Sequence, residues 1–352
     1  MTSLRHLVVL RFSAMGDVAL TVPVIRGALN AHPQIRITVI TRPLFARFFS
    51  CIRLEEHEKN RLTILAADVK DRYAGLWGIL KLARDISGLR PDVILDLHDH
   101  LRTIILRNLL KSFGTPVVVF DKGRRAKKSA TGAQRGQHRR PLTHTSDRYR
   151  NAFAQAGLPF PIPSGPHVAA QRPNENDDWF VPGIRRIGIA PLAAHPTKQW
   201  PIERFRSVIE AFRNDPHVRF LVFGGAGDRE TLNMLVRSDQ QVWNTAGRFT
   251  LEEELGIMLT LDAMVTVDSS NMHMAGLCGV PVVSVWGGTH TVTGFGPAFH
   301  PKNEILEIPP EELPCRPCST FGKSSCARGD LACLRRITAD EAVTAIRRVL
   351  GP

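Results

Sequence analysis

This 352-residue chain has no run of the roughly 18 to 20 apolar residues that a membrane-spanning helix needs. No G-x-G-x-x-G follows an apolar run, and no G-x-x-x-x-G-K-[ST] occurs, which argues against a nicotinamide dehydrogenase and a P-loop NTPase. Acidic residues are scarce in the first half only. Residues 1–165 hold 27 Lys and Arg against 12 Asp and Glu, whereas 166–352 hold 19 against 21. The first half thus carries +15 and the second −2, so all the excess behind the net +13 lies in the N-terminal half. Aromatics are scarce where that charge is densest. Residues 121–150 carry ten Lys or Arg and two Asp, with Tyr149 as the sole Phe, Tyr or Trp. A basic segment without interleaved aromatics is a poor nucleic-acid surface. It suits an anionic membrane surface or a phosphorylated or acidic-sugar substrate, and a merely solvated loop would read the same way. The opening apolar run, "HLVVL", is too short for a signal peptide and is interrupted at Arg11 and Asp17, so a cytoplasmic protein is expected.

What is present is an alternation. The β-branched apolar runs "HLVVLRF", "RITVIT", "DVILDLH" and "PVVVFD" in the first half, and "RRIGIAP", "VRFLVFGG", "AMVTVD" and "PVVSVWG" in the second, are separated by helical segments. Continuous apolar strands alternating with helices predict parallel sheets covered on both faces. Residues 157–176 carry five prolines without periodicity and read as a linker. The expected architecture is α/β: two Rossmann-like domains with parallel sheets facing across a cleft. The first spans 1–165 and the second 166–335. A C-terminal helix over 336–352 opens with a capping box at Thr338 and Glu341.

Ligands of such sheets bind beyond the C-terminal strand ends. After the first strand comes "SAMGD", with one glycine, Gly16, and then a carboxylate, Asp17. A carboxylate repels the phosphate that such turns commonly hold. Asp17 fits a general base that takes a proton from an attacking hydroxyl, or a first-turn residue that complements the helix dipole. In the second half, Lys198 in "HPTKQWP" precedes a helix and suits a phosphate, unless it is a plain surface lysine. Asp228 and Glu230 in "FGGAGDRE" suit ribose hydroxyls, with helix capping the alternative for Asp228. In "VDSSNMH", Ser269, Ser270 and Asn271 open a helix and favour an anion, Asp268 orients them or His273, and His273 serves the site or the core. Cys315, Cys318, Cys326 and Cys333 follow C-x2-C-x7-C-x6-C, a spacing open to reduced structural thiols, zinc or disulfides.

"SAMGD", "TKQWP" and "VDSSNMH" followed by "AGLCGVPVVSVWGGTH", in this order over nearly the whole chain, resemble glycosyltransferase family 9, the ADP-heptose:lipopolysaccharide heptosyltransferases. The resemblance implies a GT-B fold and an inverting transfer with no cofactor and no catalytic metal. The acceptor would bind mainly to the first domain and the nucleotide sugar to the second. It implies Asp17 as general base, with Ser13, Met15 and Gly16 beside it on the acceptor side. It places Lys198, Asp268, Ser269, Ser270, Met272 and His273 at the donor. Two departures fall in the donor region: Ser270 stands where the family commonly has glycine, and Ala193 and Ala194 where relatives carry hydroxyls. The expected partners are a nucleotide-sugar donor, an ADP-heptose, and an anionic glycolipid acceptor at the inner-membrane surface, with no nucleic acid. Arg124, Arg125, Lys127 and Lys128 are expected to meet that acceptor from the first domain. The alternatives are a GT-B-type nucleotide-sugar epimerase and a basic nucleic-acid-binding protein.

Overall fold

The computed structural model describes residues 5–131, 141–171, 180–236, 241–323 and 325–351. The chain divides into two compact units. One comprises the described residues up to Lys122 together with Thr145–Ala169. The other comprises those of Gly123–His144 and those from Ala170 onward.

The first unit is built on five strands: β1 (Arg5–Leu10), β2 (Ile35–Thr41), β3 (Leu62–Ala66), β4 (Val93–Asp96) and β5 (Val117–Val119). They pair in the order β3-β2-β1-β4-β5, parallel throughout. The run "HLVVL" is apolar at successive positions because both of its faces are covered. Val8 and Leu10 pack with Ile79, Leu82, Leu106 and Leu110. Leu7 and Val9, which point the other way, are equally buried.

The second unit holds β6 (Arg185–Ala190), β7 (Val218–Val222), β8 (Val242–Asn244), β9 (Ala263–Val267), β10 (Val282–Trp286) and β11 (Glu304–Glu307). Their order is β11-β10-β9-β6-β7-β8, again all parallel. Read from β8, this is the 3-2-1-4-5-6 order of a dinucleotide-type sheet, and the first sheet has its first five places. In both, the order reverses between the first and fourth strands, that is between β1 and β4 and between β6 and β9. The C-terminal helix Ala339–Leu350 is integral to this unit. Its Ala342, Ala345, Ile346 and Val349 join Phe205, Val208, Ile187 and Ile189 in one core.

All eight anticipated strands form. The additional ones, β3, β8 and β11, lie at sheet edges, where a strand needs no continuous apolar run. The basic segment 123–131 groups with the second unit, contrary to its expected place in the first. The Lys127 ammonium lies 4.3 Å from the Phe295 ring centroid and 6.0 Å from that of Phe321, two rings of the same unit. The Leu142 N–H donates to the Val292 carbonyl at 2.9 Å.

The capping box of the C-terminal helix is complete. The Thr338 hydroxyl accepts from the Glu341 N–H at 3.2 Å, and the Glu341 carboxylate accepts from the Thr338 N–H at 2.6 Å. Thr338→Ala should destabilise the protein by about 1 kcal/mol. Equilibrium urea denaturation would measure this, with Thr338→Ser close to wild type.

Candidate active site

Both sheets gather polar side chains where the strand order reverses. In the first unit β1 runs into Arg11 and Phe12, and the short helix Met15–Ala19 follows. Asp17 lies in the first turn of that helix, its side chain 22% exposed. Its Oδ2 meets the Arg11 guanidinium at 2.7 Å, and its Oδ1 accepts from the Tyr149 hydroxyl at 3.4 Å. Arg11 is buried. It also donates to the Leu97 carbonyl and lies 5.4 Å from the Tyr149 ring centroid. Burying a guanidinium is costly unless it is paired, so Arg11 both needs Asp17 and fixes how it points. Ser13, Met15 and Gly16 are partly exposed around it.

The end of β4 completes this group with "DLHDH". Asp96 accepts the backbone N–H groups of His98 and Asp99 on one oxygen and Arg107 on the other, at 3.0 Å. Arg107 also donates to Asp99 at 2.8 Å, and Lys122 donates to the Asp99 carbonyl at 2.6 Å. The His98 imidazole is buried, and its Nδ1 has no hydrogen-bond partner among the described residues. Burial, with the positive charges of Arg11 and Lys122 and the neighbouring His100, lowers its pKa to about 3 against an opposing pull from Asp17. His98 is therefore a neutral imidazole at physiological pH.

In the second unit the loop after β6 ends in a single turn, Pro196–Lys198. The Lys198 ammonium lies 2.7 Å from Asp268 Oδ2 at the end of β9, and the Thr289 hydroxyl donates to the same oxygen at 2.8 Å. Asp268 thus holds an ammonium and a hydroxyl together. Room for this is made by glycines. A Cβ on Gly287 would lie 2.3 Å from the Thr197 carbonyl, and one on Gly322, where φ is +78°, would lie 2.8 Å from the Lys198 stem. Ser269 caps the helix Ser270–Leu277 in position only, its hydroxyl lying 3.1 Å from that of Thr266. Ser270 and Asn271 are partly exposed at that helix start.

Several expected site residues have other surroundings. Met272 is wholly buried and offers a ligand no surface, and His273 is buried in the same helix. Asp228 spends one oxygen on the Gly225 N–H at 2.9 Å, the capping role, while Glu230 is exposed in the following turn. Arg124, Arg125 and Lys128 are exposed and Lys127 partly so, but all four belong to the second unit. Among the described residues no disulfide joins the cysteines, and Cys315, Cys318, Cys326 and Cys333 form no group that could hold a metal ion. The tail they punctuate has a structural anchor instead. Arg316, between Cys315 and Cys318, is buried and donates to the carbonyls of Trp286, Gly287, Thr289 and Ile308, which pins the loop that presents Thr289. Cys333 is buried in the core, and burial raises its thiol to about 11. Sequence reasoning passed over Arg11, Tyr149, His98, Asp99 and Thr289. "DLHDH" and "GGTH", polar residues closing apolar runs, were the available signal.

Two parallel α/β units, each with polar side chains at its strand-order reversal, have the architecture of the GT-B glycosyltransferases. A crystal structure of a glycosyl transferase family 9 protein from Veillonella parvula is similar over 99% of this chain and 98% of its own, with a TM-score of 0.75 at 21% identity. E. coli heptosyltransferase WaaC with ADP-2-deoxy-2-fluoro heptose is similar over 97% and 99%, with a TM-score of 0.66 at 17% identity. In sequence, the lipopolysaccharide core heptosyltransferase OpsX of Haemophilus influenzae is 24% identical over 80% of this chain and 79% of its own length. The profile of Glycosyltransferase family 9 (heptosyltransferase) matches residues 79–323, and the chain belongs to that family. It is a glycosyltransferase.

The His98 environment has a measurable consequence. The unfolded chain takes up this proton near pH 6.5, the folded protein only near 3. Acidification between those values therefore favours the unfolded state, by up to about 1.4 kcal/mol per pH unit for one proton. His98→Gln should flatten the acid limb of the stability profile by that amount, measured by urea denaturation across this range.

Proposed function

We propose that this enzyme transfers a heptose from ADP-heptose to the inner core of lipopolysaccharide, with inversion at the anomeric carbon. The observation that carries the reading is Asp17, a partly exposed carboxylate held by Arg11 and Tyr149 at the strand-end turn where related folds hold phosphate. The relatives named above support the sugar and the acceptor class.

In this reading the acceptor hydroxyl oxygen attacks the anomeric carbon as the bond from that carbon to the diphosphate oxygen breaks. The hydroxyl proton passes to Asp17 Oδ1 and ADP departs. Arg11 and Tyr149 hold the carboxylate in line, and Ser13, Met15 and Gly16 border the acceptor. His98, a neutral imidazole, is a hydrogen-bonding partner for acceptor hydroxyls. Negative charge develops on the leaving diphosphate, so positive groups fixed beforehand stabilise the transition state. Lys198 supplies the charge without a divalent metal, Asp268 and Thr289 keep it in place, and Ser269, Ser270 and the helix start behind them add hydrogen-bond donors. His273 stands behind that helix start. Asp228 and Glu230 border the nucleoside, and the exposed Arg124, Arg125 and Lys128 present positive charge to an anionic glycolipid. The enzyme works at the cytoplasmic side of the inner membrane as a peripheral protein, with a nucleotide sugar and a glycolipid, and not nucleic acid, as its partners. No helix of the described residues is long and apolar enough to cross a membrane.

Asp17→Asn should reduce transfer by at least about a thousandfold while nucleotide affinity stays within about twofold, because the base acts on the acceptor. Turnover within about tenfold of wild type would remove Asp17 from that role. Lys198→Ala should weaken ADP binding by about 1.5–3 kcal/mol and leave adenosine binding unchanged, as titration calorimetry would show. An equal loss for both ligands would mean that the loop itself had been damaged.

A further inference from the structure

The first unit exposes five large apolar side chains among its described residues: Leu44, Leu76, Trp77, Leu101 and Phe113. Four of them share one edge. Leu44 lies in the first turn of Pro43–Ser50, after β2. Leu76 and Trp77 open Gly75–Gly88, after β3, and Leu101 opens Leu101–Ser112, after β4. In a parallel sheet the helix that follows a strand starts at that strand's C-terminal end, which is also where β1 delivers Asp17. Phe113 follows the last turn of its helix and lies at the opposite end.

Trp77 is 85% exposed, and Leu76 and Leu101 are each 67% exposed. Side chains of this size standing out together mark an interaction surface. The two helix starts are tied to each other, because Arg102 donates to the carbonyls of Tyr73 and Val69 at 2.8 and 3.3 Å. The charge in the loop before them is mixed, with Lys70 and Arg72 beside Asp68 and Asp71 and Arg72 3.6 Å from Asp85. On the helix itself, Lys81 and Arg84 are exposed four and seven residues after Trp77, on the same face. An aromatic ring with cations set back along one face is the pattern of a segment that seats its ring among lipid headgroups and its cations on lipid phosphates.

We propose that this edge of the first unit, centred on Leu76, Trp77 and Leu101, docks on an anionic lipid bilayer and brings Asp17 to a membrane-embedded acceptor. The proposal rests on the reading of that acceptor as a glycolipid. It also relocates membrane contact from the basic segment 123–131 to the apolar edge beside the proposed base.

Flotation of the full-length protein with vesicles of phosphatidylethanolamine containing one-quarter phosphatidylglycerol tests it, with phosphatidylcholine vesicles as the uncharged comparison. Wild type should float with the anionic vesicles. A Leu76→Ser/Trp77→Ser variant should lose roughly tenfold in partitioning. It should keep its melting temperature, since both side chains stand in solvent. Lys81→Glu/Arg84→Glu should lose binding to the anionic vesicles, and Phe113→Ser should bind as wild type. Leu76→Ser/Trp77→Ser should also raise the KM for acceptor presented in vesicles and leave the KM for a deacylated, water-soluble acceptor unchanged. Failure of wild type to float, equal flotation of Leu76→Ser/Trp77→Ser, or an equal loss in Phe113→Ser would overturn the proposal. So would light scattering that showed the apolar edge joining two copies of the chain, with flotation unaffected by the substitutions. If wild type transfers heptose to neither acceptor, the functional reading fails, and flotation still decides the surface.

Discussion

A parallel strand covered on both faces can offer chemistry only where it ends. Both sheets of this protein are parallel throughout, and their middle strands are buried on both faces, with polar side chains inside them such as Thr38, Thr266 and Ser284 also buried, so the chemistry open to a ligand lies in the loops beyond the C-terminal ends. At the reversal of strand order neighbouring loops part in opposite directions and leave a gap between them. Arg11, Asp17 and His98 stand at that gap in the first sheet, and Lys198 and Asp268 in the second. The two units solve the same geometric problem with opposite charge: one turns a carboxylate outward and the other an ammonium.

Each of these groups is held by a partner that also limits it. Arg11 is buried and would be costly unpaired, so Asp17 serves as its counter-ion as well as the proposed base. Asp268 stands in the same relation to Lys198. A carboxylate beside the proposed diphosphate site looks misplaced until its partners are seen. With an ammonium and the Thr289 hydroxyl on one oxygen, Asp268 fixes both groups in advance, so the proposed reaction would need little reorganisation there.

The sequence disclosed those parts of the fold in which one residue's environment repeats at its neighbours. "HLVVL", "AMVTV" and "PVVSV" read as central strands because burial on both faces keeps them mostly apolar, and the His6, Thr266 and Ser284 they contain are buried and hydrogen-bonded. "LTILA" and "EILE", at edges, carry mixed patterns that also suit loops. Asp268 was legible for a similar reason, since it closes an apolar run, and Asp17 and Lys198 because each lies in the polar stretch between such a run and a longer helix. Their partners were not. Tyr149 lies 132 residues from Asp17 in the chain, and nothing local in "SDRYR" points to that contact. The fate of the basic segment was equally hidden. Composition reports how many charges it has, but not that Phe295 and Phe321 would take up Lys127.

That segment also bears on the order in which the protein can assemble on the ribosome. Gly123–His144 leaves the exit tunnel ahead of Thr145–Gln155, the last helix of the first unit, yet its described residues Lys127, Leu142 and His144 pack against the second. Domains made N-terminal first tend to fold as units during synthesis. Here the first unit must close around a stretch that cannot yet settle, and the stretch must wait until Val292, Phe295 and Phe321 have been made. A basic, aromatic-poor composition keeps such a stretch soluble during the wait. Its charge thus guards a nascent chain as well as decorating a finished enzyme.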